Sequence, residues 1–286
     1  MNQRLQLQAS QRPRSNHVAD RRLRTEQRAL AISGGILVFF LAAPLFALIA
    51  TATVASLEAG LREPLVWPAL RLSLLTTTSS LVLVVLFGTP LAWTLARSRG
   101  RFARAIETIV QLPIVIPPAV AGVAMLLAFG RRGLFGSLLY PLGVSLPFTT
   151  AAVVMAEVFV SAPFFVQAAT SAFRRIDPNL IVVARTFGAT PLRVFSRIAL
   201  PLAAPGLVAG AALSWARALG EFGATLMFAG NFEGRTQTLP LAIYTALEID
   251  LRAAQALSVV LVVVAFGLLI FVRSVLRRWS EREMTP

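Results

Sequence analysis

The chain has 286 residues, 56% of them hydrophobic, with a mean hydropathy of +0.73 and a formal net charge of +14. No soluble domain sustains that hydropathy, and several apolar runs exceed the roughly 18 residues that mark a membrane helix. There is no cysteine, one histidine (His17) and no lysine, so all 27 basic residues are arginine; this excludes a disulfide framework, a Cys/His metal site and Ser-His-Asp or Ser-Lys chemistry within the spans.

The missing lysine excludes more. A phosphate-binding loop holds the β- and γ-phosphates through its lysine. By that route the chain hydrolyses no ATP itself, and an ATP-driven process would need its ATPase on another subunit. In a soluble chain, +14 would point to nucleic acid. Here the arginines flank apolar runs, so membrane topology explains the charge and no nucleic-acid partner is expected.

Residues 1–28 are rich in Arg and Gln, with Asp20 and Glu26 the only acids, and read as a flexible cytoplasmic tail. The first apolar run covers 29–54. A signal peptide is the rival reading, with Ala50-x-Ala52 as its cleavage site. About 25 apolar residues is long for a signal core and right for a span. The second run, Ala69 to Ala96, contains the hydroxyls Thr76, Thr77, Thr78, Ser79 and Ser80. These either line a polar path or bond back to their own backbone and to a neighbouring helix, the commoner use. The third run, Ile106 to Phe129, is broken by Pro113, Pro117 and Pro118. Prolines remove donors and kink helices. Irregular backbone at membrane depth needs cover from protein or a water-filled cavity, so this span is expected to face the interior. The fourth run, Phe148 to Phe173, carries Glu157 and Pro163.

Next comes a polar interruption, Ile176 to Pro201. Asp177 is a good N-cap with Pro178 at the first helical position. Leu180, Ile181, Ala184 and Phe187 follow at helical spacing, and Gly188 is a left-handed stop. Thr190-Pro191 restarts the pattern. Leu192, Phe195 and Ile198 form a second stripe, and Pro201 is expected to end the turn. The stretch predicts helix, bend, helix, too short to cross a bilayer.

The fifth run extends from about Leu202 to Phe228. Gly206, Gly210 and Ser214 form a small-xxx-small face that lets helices approach. Arg217 and Glu221, four apart, can pair. A structural ion pair and direct substrate contact are both open. A polar hairpin from Ala229 to Leu239 leads to the sixth run, about Gln255 to Val272, and a C-terminal tail, 274–286. With the N-terminus inside, roughly 20 arginines fall on the cytoplasmic side, against Arg62, Arg131, Arg132, Arg235 and Arg252 outside. That asymmetry places both termini and the 177–201 stretch in the cytoplasm of a multi-pass protein of the inner (plasma) membrane.

Ala184, Gly188 and Ile198-x-Leu200-Pro201 resemble the cytoplasmic loop of binding-protein-dependent ABC importer permeases, with Val182 and Val183 standing where that family has Glu and Ala. Arg217-Ala-Leu-Gly-Glu-Phe-Gly-Ala-Thr225, Phe228-Ala-Gly-Asn231, Gly234-Arg-Thr-Gln-Thr-Leu-Pro240, Ile243-Tyr-Thr-Ala-Leu-Glu248 and Phe129-Gly-Arg-Arg-Gly133 look like molybdate permeases. Sulfate permeases share the Gly220–Gly223 element. The resemblance covers about residues 65–273. It implies an all-α integral membrane fold of six transmembrane helices with a cytoplasmic coupling helix, the type I importer permease. It implies a homodimer with two ATP-binding subunits and an extracytoplasmic oxyanion-binding protein. ATP and Mg would sit on the partner ATPase, and this chain would bind no cofactor or metal of its own. The coupling residues implied are Ala184, Phe187, Gly188, Leu192, Phe195, Ile198, Leu200 and Pro201, with Phe187, Leu192 and Phe195 as the buried contacts. The cargo implied is molybdate. Tungstate and sulfate or thiosulfate are the alternatives, and an ATP-independent secondary transporter is the rival class. For the anion's path the available donors are Thr76, Thr77, Arg217 and Thr225, together with Glu221 as the partner of Arg217, and Thr149 and Thr150.

Overall fold

The computed structural model describes residues 15–283, and of these it leaves the side chains of 272, 273 and 275–283, with parts of 15–30 and 54–59, undescribed. The first 14 residues of the expected tail and the last three of the chain lie outside the described residues. The chain divides into two units, 1–53 and 54–286.

The first unit is one helix, α1 (Ser15–Ala50), with Pro44 inside it. It starts well before the apolar run, so residues expected to be tail are helical. Its apolar window, Ala31–Ala50, has a mean hydropathy of 2.4.

The second unit is all helix among the described residues. It opens with the short α2 (Val54–Leu61) and the long α3 (Val66–Arg97). The proline-broken third run forms two helices, α4 (Arg101–Val115) and α5 (Pro118–Phe129), bent by 117° at Ile116–Pro117. Pro118 opens α5 where its missing N–H is harmless. After a single turn, α6 (Gly136–Leu139), comes α7 (Thr150–Arg174), started by the Thr149 cap. The polar interruption supplies α8 (Pro178–Thr186) and α9 (Pro191–Val194), and α10 (Leu200–Leu219) follows. The remainder is α11 (Gly223–Ala229), α12 (Leu239–Ile249) and α13 (Leu251–Glu283). Among the described residues five helices are long and apolar enough to cross a membrane, and the count is six when the bent pair α4 and α5 is taken as one span.

α7 is the axis of the second unit. Half of its apolar window is buried, and it packs along α3 on one side and α10 on the other. Its alanines, with Gly206 and Gly210 of α10, let the backbones close together. A Cβ on Gly206 would lie 2.5 Å from that of Ala172, and one on Gly210 would lie 2.8 Å from Ala168. Ser214, next on the same face, donates to the Ser161 carbonyl at 3.0 Å. A second cluster joins α5, α7 and α11 through Met125, Val153, Val160 and Phe228. A third joins α3, α12 and α13 through Val66, Leu239, Ala246 and Leu257.

Several expectations are corrected. The third run does not face the interior as a whole. The bend turns α4 outward, with Ile109 and Val115 exposed and Ala103 its sole buried residue, and only α5 contributes to the core. The fifth run is not one span. α10 ends at Leu219, and Gly220–Phe222 form a break before α11. Pro201 does not end its helix. The five residues Phe195–Ala199 form a π turn in which the Leu200 amide bonds to the Phe195 carbonyl, and the helix continues through Pro201. A proline ring collides with the carbonyl four residues back, and a wider turn there relieves the collision.

Candidate functional site

The stretch from Asp177 to Pro201 is built by local chemistry. Asp177 Oδ1 accepts from the Asn179 amide at 2.9 Å, and Thr190 Oγ1 from the Arg193 amide at 3.3 Å. At the end of α8 the Ala189 amide donates to the Ala184 carbonyl at 3.1 Å and the Gly188 amide to the Arg185 carbonyl at 2.9 Å. Those are the two bonds of a Schellman cap, which needs a left-handed residue between them. Gly188 supplies it, with φ of +81°. The four-residue spacing from Ala184 to Gly188 is therefore the spacing of a helix stop, and the side chains of Ala184 and Ala189 both pack on the core beneath.

The apolar residues of the stretch divide by direction. Ile181, Val194 and Ala199 are buried, and Ala184, Ile198 and Leu200 are half-buried. Phe187 is 87% exposed and Leu192 74% exposed, beside exposed Leu180, Val182 and Val183. Phe195 does not join them. Its ring lies 5.6 Å from Trp93 and 6.2 Å from Phe173, and Trp93 meets Phe173 edge-on at 5.3 Å. The Arg97 guanidinium lies over the Trp93 ring at 4.7 Å. Phe195 thus roots the stretch in α3 and α7, while Phe187 and Leu192 are left as large apolar side chains turned outward. Such an apolar surface on a polar loop marks a protein contact.

Within the membrane-spanning part, the candidate path residues lie in two groups. Thr76 Oγ1 donates to Glu157 Oε1 at 2.7 Å. Thr77 Oγ1 donates to the Ser73 carbonyl at 2.6 Å and accepts from Trp215 Nε1 at 2.9 Å. These hydroxyls bond backward and across to other helices, and they are buried rather than displayed. Glu157 and Trp215 complete the cluster. Glu157 was signalled as an acid inside an apolar run, which is rare and usually has a reason; Trp215 gave no signal. In the second group Arg217 pairs with Glu221, Nη1 to Oε2 at 2.8 Å. The helix has already ended, so they do not share a helical face. Glu221 reaches back from the break, and its Oε1 accepts from the Ala224 amide at 2.7 Å, at the start of α11. The pair closes the gap between α10 and α11. Thr225, on α11, is buried, and its hydroxyl has no hydrogen-bond partner among the described residues. Of the named donors, Arg217, with its side chain 27% exposed, and Thr149 and Thr150 at the start of α7 are half-buried, while the others are buried. Among the described residues no group of three His, Cys, Asp or Glu is placed to hold a metal.

The family of binding-protein-dependent transport system inner membrane components matches residues 88–286. That range holds α4 to α13, the capped loop and the pair at the α10–α11 break. The chain belongs to that family. Members are transport subunits of the inner membrane, crossing it several times. The molybdenum transport system permease protein ModB of Mycobacterium tuberculosis is 48% identical over 82% of this permease and 88% of its own length. ModB of Escherichia coli K12 is 39% identical over 64% of this chain and 80% of its own. A solved bacterial ABC transporter for alginate import has a chain with a TM-score of 0.75 at 18% identity, covering 94% of this chain and all of that one. The fold is therefore that of an ABC importer permease of type I.

Proposed function

We propose that this permease carries molybdate into the cytoplasm as the membrane-spanning subunit of an ATP-driven importer. Two copies would form the pathway. Each would receive one ATPase subunit on the Asp177–Pro201 loop, and an extracytoplasmic protein would deliver the anion. Both termini and the loop lie in the cytoplasm, on the side that holds the excess of arginine. ATP and Mg belong to the ATPase, since this chain has no lysine to hold the phosphates. The observation that carries the reading is the outward pair Phe187 and Leu192 on a doubly capped loop. Apolar side chains held that rigidly in water have a partner to meet. The similarity to molybdenum permeases supports the choice of anion.

The coupling is rigid-body. A short helix seated in the ATPase moves with it, and the spans on either side follow. The Phe195–Trp93–Phe173 cluster ties the loop to α3 and α7, so displacement of the loop reaches the centre of the unit.

The test is ATPase activity of the reconstituted complex with its binding protein loaded in turn with molybdate, tungstate and sulfate. Stimulation by molybdate and tungstate is expected. Stimulation by sulfate alone would keep the importer and change the cargo. Molybdate uptake that continues in vesicles lacking the ATPase would overturn the coupling.

A further inference from the structure

A cavity of about 550 Å³ opens where the end of α5, the segment before α7 and the hairpin between α11 and α12 meet. Arg131 and Arg235 line it, with Ser145, Thr149, Phe148 and Gly130. No acidic side chain does. By the arginine count it lies on the face opposite the coupling loop, the side from which an imported anion arrives.

The two guanidiniums lack the carboxylate partner that three other arginines have. Arg62 pairs with Glu58 at 2.5 Å, Arg174 with Glu107 and Arg217 with Glu221. Among the described residues neither Arg131 nor Arg235 has a carboxylate partner, and Glu233, two residues before Arg235, pairs with neither. Two unpaired cations sharing one concavity make it strongly positive. α7 adds to this, since its cap residue Thr149 is in the wall and the helix turns its positive end toward the same space.

The wall is also built, not incidental. Arg131 stacks on Tyr140 at 5.4 Å. The backbone of Arg235 is pinned to α7, its carbonyl accepting from Thr150 Oγ1 at 2.9 Å. The hairpin that presents it is braced by Asn231 and Gln237, which both donate to Thr245 Oγ1, at 2.9 and 3.3 Å. Phe148 has φ of +62°, the sole positive value outside glycine among the described residues. A bulky side chain adopts that backbone only where its surroundings impose it, and such strain gathers at functional sites. The Phe148 ring meets Phe232 edge-on at 6.1 Å, over Gly230, where a Cβ would come within 2.8 Å of the Phe232 ring.

We infer that Arg131 and Arg235 form an entry site for a tetrahedral oxyanion on the extracytoplasmic face. Guanidiniums present paired N–H donors that match the oxygens of such an anion. The site takes the anion as the binding protein releases it. It holds the anion weakly, as a site on a transport path must. The inference rests on the importer reading and its orientation. The same two arginines would also accept a carboxylate of the binding protein, and the test separates the two sources.

The experiment measures equilibrium binding of labelled molybdate, and separately sulfate, to the whole permease–ATPase complex in nanodiscs with no binding protein present. Wild type should bind molybdate weakly and saturably, and added salt should weaken binding further. Arg131→Ala with Arg235→Ala should weaken binding at least tenfold. Arg131→Lys with Arg235→Lys should retain part of it, since the charge remains and the paired donors do not. Capture of the binding protein is measured on the same variants. A double alanine variant that binds anion as wild type does overturns the site, as does a wild type that binds no anion yet imports it. A variant that keeps anion binding and loses capture of the binding protein gives the cavity to a carboxylate of that protein instead. The cargo reading fails separately: sulfate binding lost on the same substitutions, with no molybdate uptake by wild type, changes the anion and keeps the site.

Discussion

Arg217 and Glu221 allow a quantitative decision between holding the fold and holding the cargo. Arg217→Met removes the cation and keeps an apolar stem. Glu221 is then a carboxylate with its side chain 1% exposed, and only the Ala224 amide remains to it. Removing one partner of a fully buried pair costs roughly 3–5 kcal/mol. Arg217 is about a quarter exposed, so water already screens part of the interaction, and about 2.5 kcal/mol is the expected loss. Glu221→Gln keeps an oxygen for the Ala224 amide and leaves Arg217 to water, at about 1 kcal/mol. The double variant has no buried charge left unpaired. It should lose about 1.5 kcal/mol rather than the summed 3.5, a coupling of about 2 kcal/mol. Reversible unfolding of the four proteins in mixed micelles of increasing SDS content measures this, with ATP-driven uptake followed in parallel. Losses that add to within about 0.5 kcal/mol would refute the structural pairing. Uptake abolished in a double variant of restored stability would assign Arg217 to the anion.

Gly188→Val should lower uptake with the membrane content of the protein unchanged. Its left-handed backbone costs a branched residue roughly 1–2 kcal/mol, while a Cβ there meets nothing within 4 Å; normal uptake would remove the glycine from the coupling role. Phe187→Ala with Leu192→Ala should leave stability within about 0.5 kcal/mol of wild type and reduce capture of the ATPase at least tenfold in a pull-down of the purified subunits. Trp93→Ala, which empties the middle of the aromatic cluster, should instead cost about 3 kcal/mol. Gly206→Leu should cost about 1–3 kcal/mol by forcing α10 off α7, and Gly267→Leu, where nothing lies within 4 Å, serves as its control; equal melting temperatures for the two would contradict the packing described.

What was legible in the sequence was what depends on near neighbours. The caps at Asp177 and Thr190 and the stop at Gly188 need only a few adjacent residues, so their spacing predicts them. The small face of Gly206, Gly210 and Ser214 was readable because periodicity reports a face. It did not report which helix the face meets. Phe187, Leu192 and Phe195 look alike in sequence. They separate in space because only Phe195 meets Trp93 and Phe173, about 100 and 20 residues away along the chain. Glu157 was conspicuous as an acid, but its donor Thr76 lies 81 residues earlier. The π turn before Pro201 was hidden, because a proline after a short helix ordinarily signals an end, and only the continuous packing of α10 against α7 favours absorbing it.

That absorbed proline has a mechanical consequence. Pro191–Leu219 is one uninterrupted helix of 29 residues, about 43 Å at 1.5 Å per residue. On the proposed coupling it would act as a lever from the loop to the end that carries Arg217, with the π turn and Pro205 as the places where it can flex. A tilt of about 5° at Leu192 sweeps the far end through about 4 Å on that length, comparable to the diameter of a small anion. Had Pro201 broken the helix, a hinge there would have dissipated the stroke in the cytoplasmic leaflet.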